Sequence, residues 1–191
     1  MGEKGKKTIE RIKNESLKLF VERGYKDVSM QDICNAAGLS KGGLYRHFGS
    51  KAEILLSLTG EERKIDVLAK IANKEPAVQI LNEYLDEFYQ NMLMSDKSLA
   101  YALFEYATVE KENALLAKDD KDSLTWKSLI DYGIKTGEFN DIDYEPVMHS
   151  FLFAYRGVRI WSRAIEIDED IIKSIIENVK LMVVKNYRRT Y

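Results

Sequence analysis

From Ile9 to the end of the chain the apolar residues return every three or four positions, and nowhere do they alternate with a period of two for long enough to make a strand. That spacing lines one face of a helix, and it restricts the chain to an all-α fold. Ile9, Ile12, Leu17, Leu19, Phe20 and Val21 form the first stripe, ended by Gly24. Further stripes run through Ile54 to Leu68, with a kink expected at Gly60, then through Leu81 to Met92, Leu99 to Phe104, Leu124 to Ile134, Val147 to Val158 and Ile171 to Val183. With the two short helices described next, the pattern predicts about nine helices and no sheet. Eleven Gly and two Pro in 191 residues are too few breakers for a turn-rich or disordered chain.

Two short segments stand apart from the long stripes. Ser29 precedes Met30, Ile33, Cys34 and Ala37, has Asp32 three residues on as in a capping box, and is flanked by Val28 and Ile33 as a hydrophobic staple. After Ala37-Gly38-Leu39, Ser40 caps a second short helix with Leu44 and Phe48 inward, and Ser50-Lys51-Ala52-Glu53 opens the next. A longer helix followed by two short ones joined at a glycine turn is the helix-turn-helix arrangement, whose second helix enters the major groove of DNA. With Leu44 and Phe48 inside, Lys41, Gly42, Tyr45, Arg46 and His47 point outward. Gly42 and Gly43 each cost roughly 1 kcal/mol of helix propensity against Ala, which suits close backbone approach to a phosphate or simply a loose turn.

Charge supports a polyanion-binding head. The chain carries a net −2, but residues 1–51 hold eleven Lys and Arg against six Asp and Glu, a net +5 that leaves −7 for the rest. Lys4, Lys6 and Lys7 fit a basic tail or a minor-groove arm. One cysteine, Cys34, excludes an internal disulfide framework, and two histidines, His47 and His149, leave little for a metal site. No nucleophile motif stands out, so neither catalytic residues, cofactor nor metal are expected. No purely apolar stretch, Phe151 to Tyr155 included, comes near about 20 residues, so no membrane span is expected, and a cytoplasmic location with a reduced thiol follows.

The run Gly24, Val28-Ser29, Ile33, Ala37-Gly38-Leu39-Ser40-Lys41-Gly42, Leu44-Tyr45, His47-Phe48 and Lys51 resembles the N-terminal DNA-binding domain of TetR-family transcriptional repressors over roughly residues 9–55. The resemblance implies a head at 1–53 and a helical body at 54–191 that binds an inducer and forms a homodimer. It implies phosphate contacts for Tyr45 and Lys51, a cap at Ser29, and base-proximal or backbone contacts for Ser40, Lys41, Gly42 and His47. Chemically, Lys41 suits guanine O6 and N7 or a phosphate, and Arg46 suits DNA or plain solvent. Cys34 departs from the Ala usual in the family and packs as a small hydrophobe.

In the body, Tyr84, Phe88, Phe104, Trp126 and Phe151 suit a pocket between helices, with Glu105 and Arg156 to anchor a ligand's charge. The last two helices carry Phe151, Tyr155, Val158, Ile172, Ile175, Ile176, Val179 and Val183, a band wide enough to face both its own domain and a second copy in an antiparallel four-helix bundle. These residues point to a repressor that binds a palindromic double-stranded DNA operator as a homodimer and is released by a small aromatic or hydrophobic effector. A DNA-binding regulator whose body is a protein-interaction platform, and an all-helical enzyme or ligand carrier, are the competing readings.

Overall fold

The computed structural model describes residues 2–59, 65–110 and 117–188, with the side chains of 117–122 outside the description. Among the described residues there are ten α-helices and no strand: α1 (Glu3–Arg23), α2 (Met30–Ala37), α3 (Lys41–Tyr45), α4 (Lys51–Ser57), α5 (Val67–Ala72), α6 (Ala77–Leu93), α7 (Ala100–Glu110), α8 (Ala117–Thr136), α9 (Tyr144–Trp161) and α10 (Glu169–Val183). The all-α expectation holds. The helix predicted from Ser50 to Leu68 is two, since α4 stops at Ser57 and α5 starts afresh with Asp66 accepting the Ala69 N–H at 3.0 Å. The kink expected at Gly60 lies outside the described residues. Helix α1 starts at Glu3, so Lys4, Lys6 and Lys7 are helical rather than a loose tail, with Lys7 paired to Glu3 at 3.0 Å.

The helices fall into two compact units, one within 1–62 and 97–112, the other within 63–96 and 113–191. The first therefore extends beyond the expected boundary at 53 and takes in α7. Its core explains this: Ala102 and Tyr106 of α7 are buried with Ile12 and Phe20 of α1, Ile33 and Cys34 of α2, Leu44 of α3, and Ile54 and Leu55 of α4. Short helices of five to eight residues do not persist alone, and here each is fixed by a cap and by burial of one to three apolar side chains. Gly38, in the left-handed region at φ +60°, ends α2 and turns the chain into Ser40 and α3.

The second unit packs α5, α6, α8, α9 and α10 around Leu81, Tyr84, Trp126, Leu129, Phe151 and Val179. Phe139, after α8, bridges to Val184 in an isolated antiparallel pair and so closes the end of the unit. Its ring leaves no room beside α8: a Cβ on Gly133 would lie 2.0 Å from Phe139 Cδ2. Overpacking of about 1–3 kcal/mol then outweighs the roughly 1 kcal/mol that alanine gains in a helix interior. Gly133→Ala should lower the thermal midpoint of the protein, and a rise would show that the ring yields freely.

Candidate nucleic-acid interface

Three serines seed this surface. Ser29, Ser40 and Ser50 stand at the N-caps of α2, α3 and α4, and their hydroxyls accept from Asp32 N at 3.2 Å, Gly43 N at 3.2 Å and Glu53 N at 3.1 Å. At α2 the capping box is complete, because Asp32 Oδ2 accepts from both the Ser29 amide, at 2.8 Å, and the Ser29 hydroxyl. Those bonds, with Arg23 3.9 Å away, hold the Asp32 carboxyl below its ordinary range. At α4 the Glu53 carboxylate reaches the Gly49 amide at 2.6 Å instead of the cap's own.

Between these caps α3 offers its outer face. Leu44 and Phe48 are buried, while Lys41, Gly42, Tyr45 and Arg46 are exposed and His47 is half-buried. Tyr45, a large aromatic, stands 52% exposed. The helix proper ends at Tyr45, and Arg46 and His47 lie in a turn in which the His47 and Phe48 amides both donate to Leu44 O, at 2.9 and 3.1 Å. The two glycines differ. A Cβ on Gly43 would approach Ser40 Oγ to 3.3 Å and crowd the cap, whereas one on Gly42 would meet nothing within 4 Å. Among the described residues nothing would crowd a side chain at Gly42, which lies on the exposed first turn of α3.

Lys51 has a different position from that expected of a phosphate contact. Its Nζ donates to Tyr25 O and Val28 O, both at 2.6 Å, and lies 4.2 Å from the centroid of the Tyr25 ring. Burial pulls its ammonium below the ordinary lysine range, against the opposing pull of Glu110 and Glu105. Lys51 thus ties the turn between α1 and α2 to the start of α4.

The expected effector residues separate. Phe104, which is exposed, and Glu105 belong to the first unit, where Glu105 accepts from the Tyr25 and Lys26 amides at 2.7 and 3.1 Å. Tyr84, Phe88, Trp126 and Phe151 do meet in the second unit, joined by Tyr155, with centroids of adjacent rings 4.8 to 5.5 Å apart in largely edge-to-face pairs. They fill one another's space. Arg156 is exposed, whereas Arg159, one turn on, donates to the Tyr155 hydroxyl at 2.7 Å. Two buried donors there, Trp126 Nε1 and Arg159 Nε, have no acceptor among the described residues.

The residues expected to form a dimer stripe lie largely inside one copy. Phe151, Val158, Ile172, Ile176, Val179 and Val183 are buried in the core of a single copy, and Tyr155 and Ile175 pack partly against it. The large apolar side chains left outside are Phe153, at 71% exposed, and Trp161, at 61%, on α9, with Ile171, Leu181 and Met182 on α10. The signal for them was in the sequence, as Phe153, Gly157 and Trp161 recur every four residues. For Glu105 there was none, because its partners lie about eighty residues away.

A capped helix-turn-helix with a basic, aromatic outer face defines a DNA-binding protein. The family model "Bacterial regulatory proteins, tetR family" matches residues 12–58. The uncharacterized HTH-type transcriptional regulator YfiR of Bacillus subtilis is 26% identical over 172 residues, covering 85% of this chain and 83% of that protein. The HTH-type transcriptional repressor KstR2 of Rhodococcus jostii is 28% identical over 138 residues, 66% of either chain. A crystal structure of a TetR transcription regulator from Haloarcula marismortui superposes with a TM-score of 0.70 at 22% identity, over 93% of this chain and 99% of that one, and shares the fold. Residues 12–58 thus match the tetR family model, and the chain is a DNA-binding transcription regulator. No helix among the described residues is long and apolar enough to cross a membrane.

Gly42 gives a direct test of the interface. Gly42→Ala should leave stability unchanged or raise it by up to about 1 kcal/mol, because the new methyl meets nothing inside, and yet should weaken DNA binding. Unchanged DNA affinity by fluorescence anisotropy would remove Gly42 from the interface.

Proposed function

We propose that this regulator is a cytoplasmic repressor that binds a palindromic operator as a homodimer and leaves it when a small effector occupies the second unit. The observation that carries the reading is the α3 face, where Lys41, Gly42, Tyr45 and Arg46 stand exposed together on a glycine that the chain itself does not need. Tyr45 takes a phosphate through its hydroxyl, and Lys41 takes a guanine edge or a phosphate. Ser29, Ser40 and His47 lie beside them at the backbone, and Lys51 supports the face from behind. The relative KstR2 bears the name of a repressor, which favours repression here.

The effector enters among Tyr84, Phe88, Trp126 and Phe151 by parting rings that touch in the free protein. An aromatic or hydrophobic body replaces the ring contacts. Acceptor oxygens on it satisfy Trp126 Nε1 and Arg159 Nε, since a buried donor without an acceptor costs about 1–3 kcal/mol.

The second copy covers the outer faces of α9 and α10. Gly157 stands between Phe153 and Trp161, and a Cβ on it would meet nothing within 4 Å of its own chain. A glycine in mid-helix costs roughly 1 kcal/mol, and close approach of a partner helix is the use that offsets this. On α10, Ile171, Ile175, Asn178 and Met182 follow at the four-three-four spacing of a helix-packing seam. A two-fold dimer places two α3 helices about 34 Å apart, one turn of DNA, which a palindrome requires.

Two measurements test this. Six to ten phosphate contacts from a dimer imply that affinity for a duplex from upstream of the protein's own gene falls roughly 10³ to 10⁵-fold between 50 and 200 mM salt, and a flat response would exclude DNA as the partner. Phe153→Asp should sediment as a monomer with an unchanged helical circular dichroism spectrum and sharply reduced operator affinity. Wild-type protein that is a 22.0 kDa monomer at micromolar concentration, yet binds operator tightly, would overturn the dimer.

A further inference from the structure

Arg159 brings a positive charge to the aromatic cluster of the second unit with no acid to meet it. Among the described residues its hydrogen bond runs from Nη1 to the Tyr155 hydroxyl, at 2.7 Å, and no carboxylate pairs with it. Lysines of the same unit do have such partners: Lys127 has Asp131 at 2.5 Å, Lys173 has Glu169 at 2.9 Å and Lys180 has Glu177 at 3.6 Å. Arg159 is not a solvated surface residue either. It is half-buried, its guanidinium carbon lies 5.1 Å from the centroid of the Tyr155 ring, and its Nε is buried without an acceptor among the described residues. The Tyr155 ring meets Phe88 at 4.8 Å and Phe151 at 6.4 Å, so the charge stands at the edge of the ring cluster.

A guanidinium is a planar fork of five N–H donors. With Nη1 committed to Tyr155, the edge formed by Nε and Nη2 is left over. That edge carries two parallel N–H groups, the arrangement a carboxylate meets with both of its oxygens. A half-buried cation with an unsatisfied donor is costly in the free protein, so an anion gains more there than at an exposed lysine. The side chains of the cluster are aromatic, so one positive charge calls for one negative charge, and a dianion would bring an excess.

We propose that the second unit binds a monocarboxylate with an aromatic or apolar body. The carboxylate accepts from Nε and Nη2 of Arg159, and the body lies among the rings of Phe88, Phe151 and Trp126. Tyr155 is a positioning residue that holds the guanidinium through Nη1. This deepens the effector reading above by giving the ligand a charge class, and it rests on that reading for the rings to part.

The test uses the full chain and isothermal titration calorimetry with two acids, 2-naphthoate and octanoate, each compared with its neutral amide at equal ionic strength. The parent protein should bind at least one acid and prefer it to its amide by at least about tenfold. Arg159→Gln, folded by circular dichroism, should lose about tenfold or more in affinity for the acid and keep its affinity for the amide within about threefold. Arg159→Lys keeps the charge without the fork and should fall between. The preferred acid should also lower the parent's affinity for a duplex from upstream of the protein's own gene, and should leave that of Arg159→Gln unchanged.

Parent protein that binds neither acid up to about 10 mM, or binds acid and amide alike, overturns the proposal. A folded Arg159→Gln with the parent's preference does the same. If Arg159→Gln does not fold, Arg159→Lys decides, and an undiminished preference in it overturns the assignment to the fork. An acid that binds through Arg159 yet leaves duplex affinity unchanged supports the carboxylate site and overturns the effector reading instead. Acid and amide that release duplex equally from parent and variant support the effector reading and overturn this proposal alone.

Discussion

The five residues Gly24 to Val28 are the joint on which the first unit depends. A loop between helices leaves backbone donors and acceptors that helix geometry does not satisfy, and a buried one must find partners for them. Here the amides of Tyr25 and Lys26 go to Glu105, the carbonyls of Tyr25 and Val28 go to Lys51, and the Tyr25 ring fills the space between Phe20 and Tyr106. Three helices, α1, α4 and α7, are fixed to one another by a segment with no secondary structure of its own. The helix-turn-helix begins at the very next residue, so the precision of its outer face comes from this joint.

Local chemistry was the legible part of the chain. Ser29, Ser40 and Ser50 cap where the sequence places caps, Gly38 turns left-handed where the sequence needs a turn, and the staple residues Val28, Ile33 and Leu44 are buried. Each of those signals spans four or five residues and is decided by geometry within them. The choice of face on α10 was not legible in the same way. Ile171 and Ile172, and again Ile175 and Ile176, are adjacent identical residues 100° apart on the helix, so composition cannot say which of each pair turns inward. Packing against α6 and α9 selects Ile172 and Ile176, and leaves Ile171 exposed and Ile175 half-buried.

The same limit explains the effector residues. Tyr84, Phe88, Trp126 and Phe151 share a core as their apolar spacing required, whereas Leu103-Phe104-Glu105-Tyr106 reads as one more aromatic stretch of a helical body. Only the fold reveals that α7 serves the first unit. A contact between Tyr25 and Glu105 spans about eighty residues, and neither end carries a local mark of it, except that the glycine beside Tyr25 leaves a space of the right size.

Charge segregation takes on a different meaning once α7 is placed. The basic segment 1–51 and the acidic remainder suggest a head and body that differ in electrostatic sign, and for DNA approach that difference is useful. Yet the first unit borrows Glu105 and Glu110 from the acidic part of the chain, and it uses them where Lys51 is desolvated. Their charge, with that of Asp27 and Asp32, opposes the burial that pulls the Lys51 ammonium below its ordinary range. Glu105 bonds the turn's amides and Glu110 its tyrosine hydroxyl, while Lys41 and Arg46 are exposed on α3 and the turn after it. Carboxylates from the acidic part of the chain thus sit beside the lysine that builds the joint, while the cations on α3 and the turn after it stay on the exposed face.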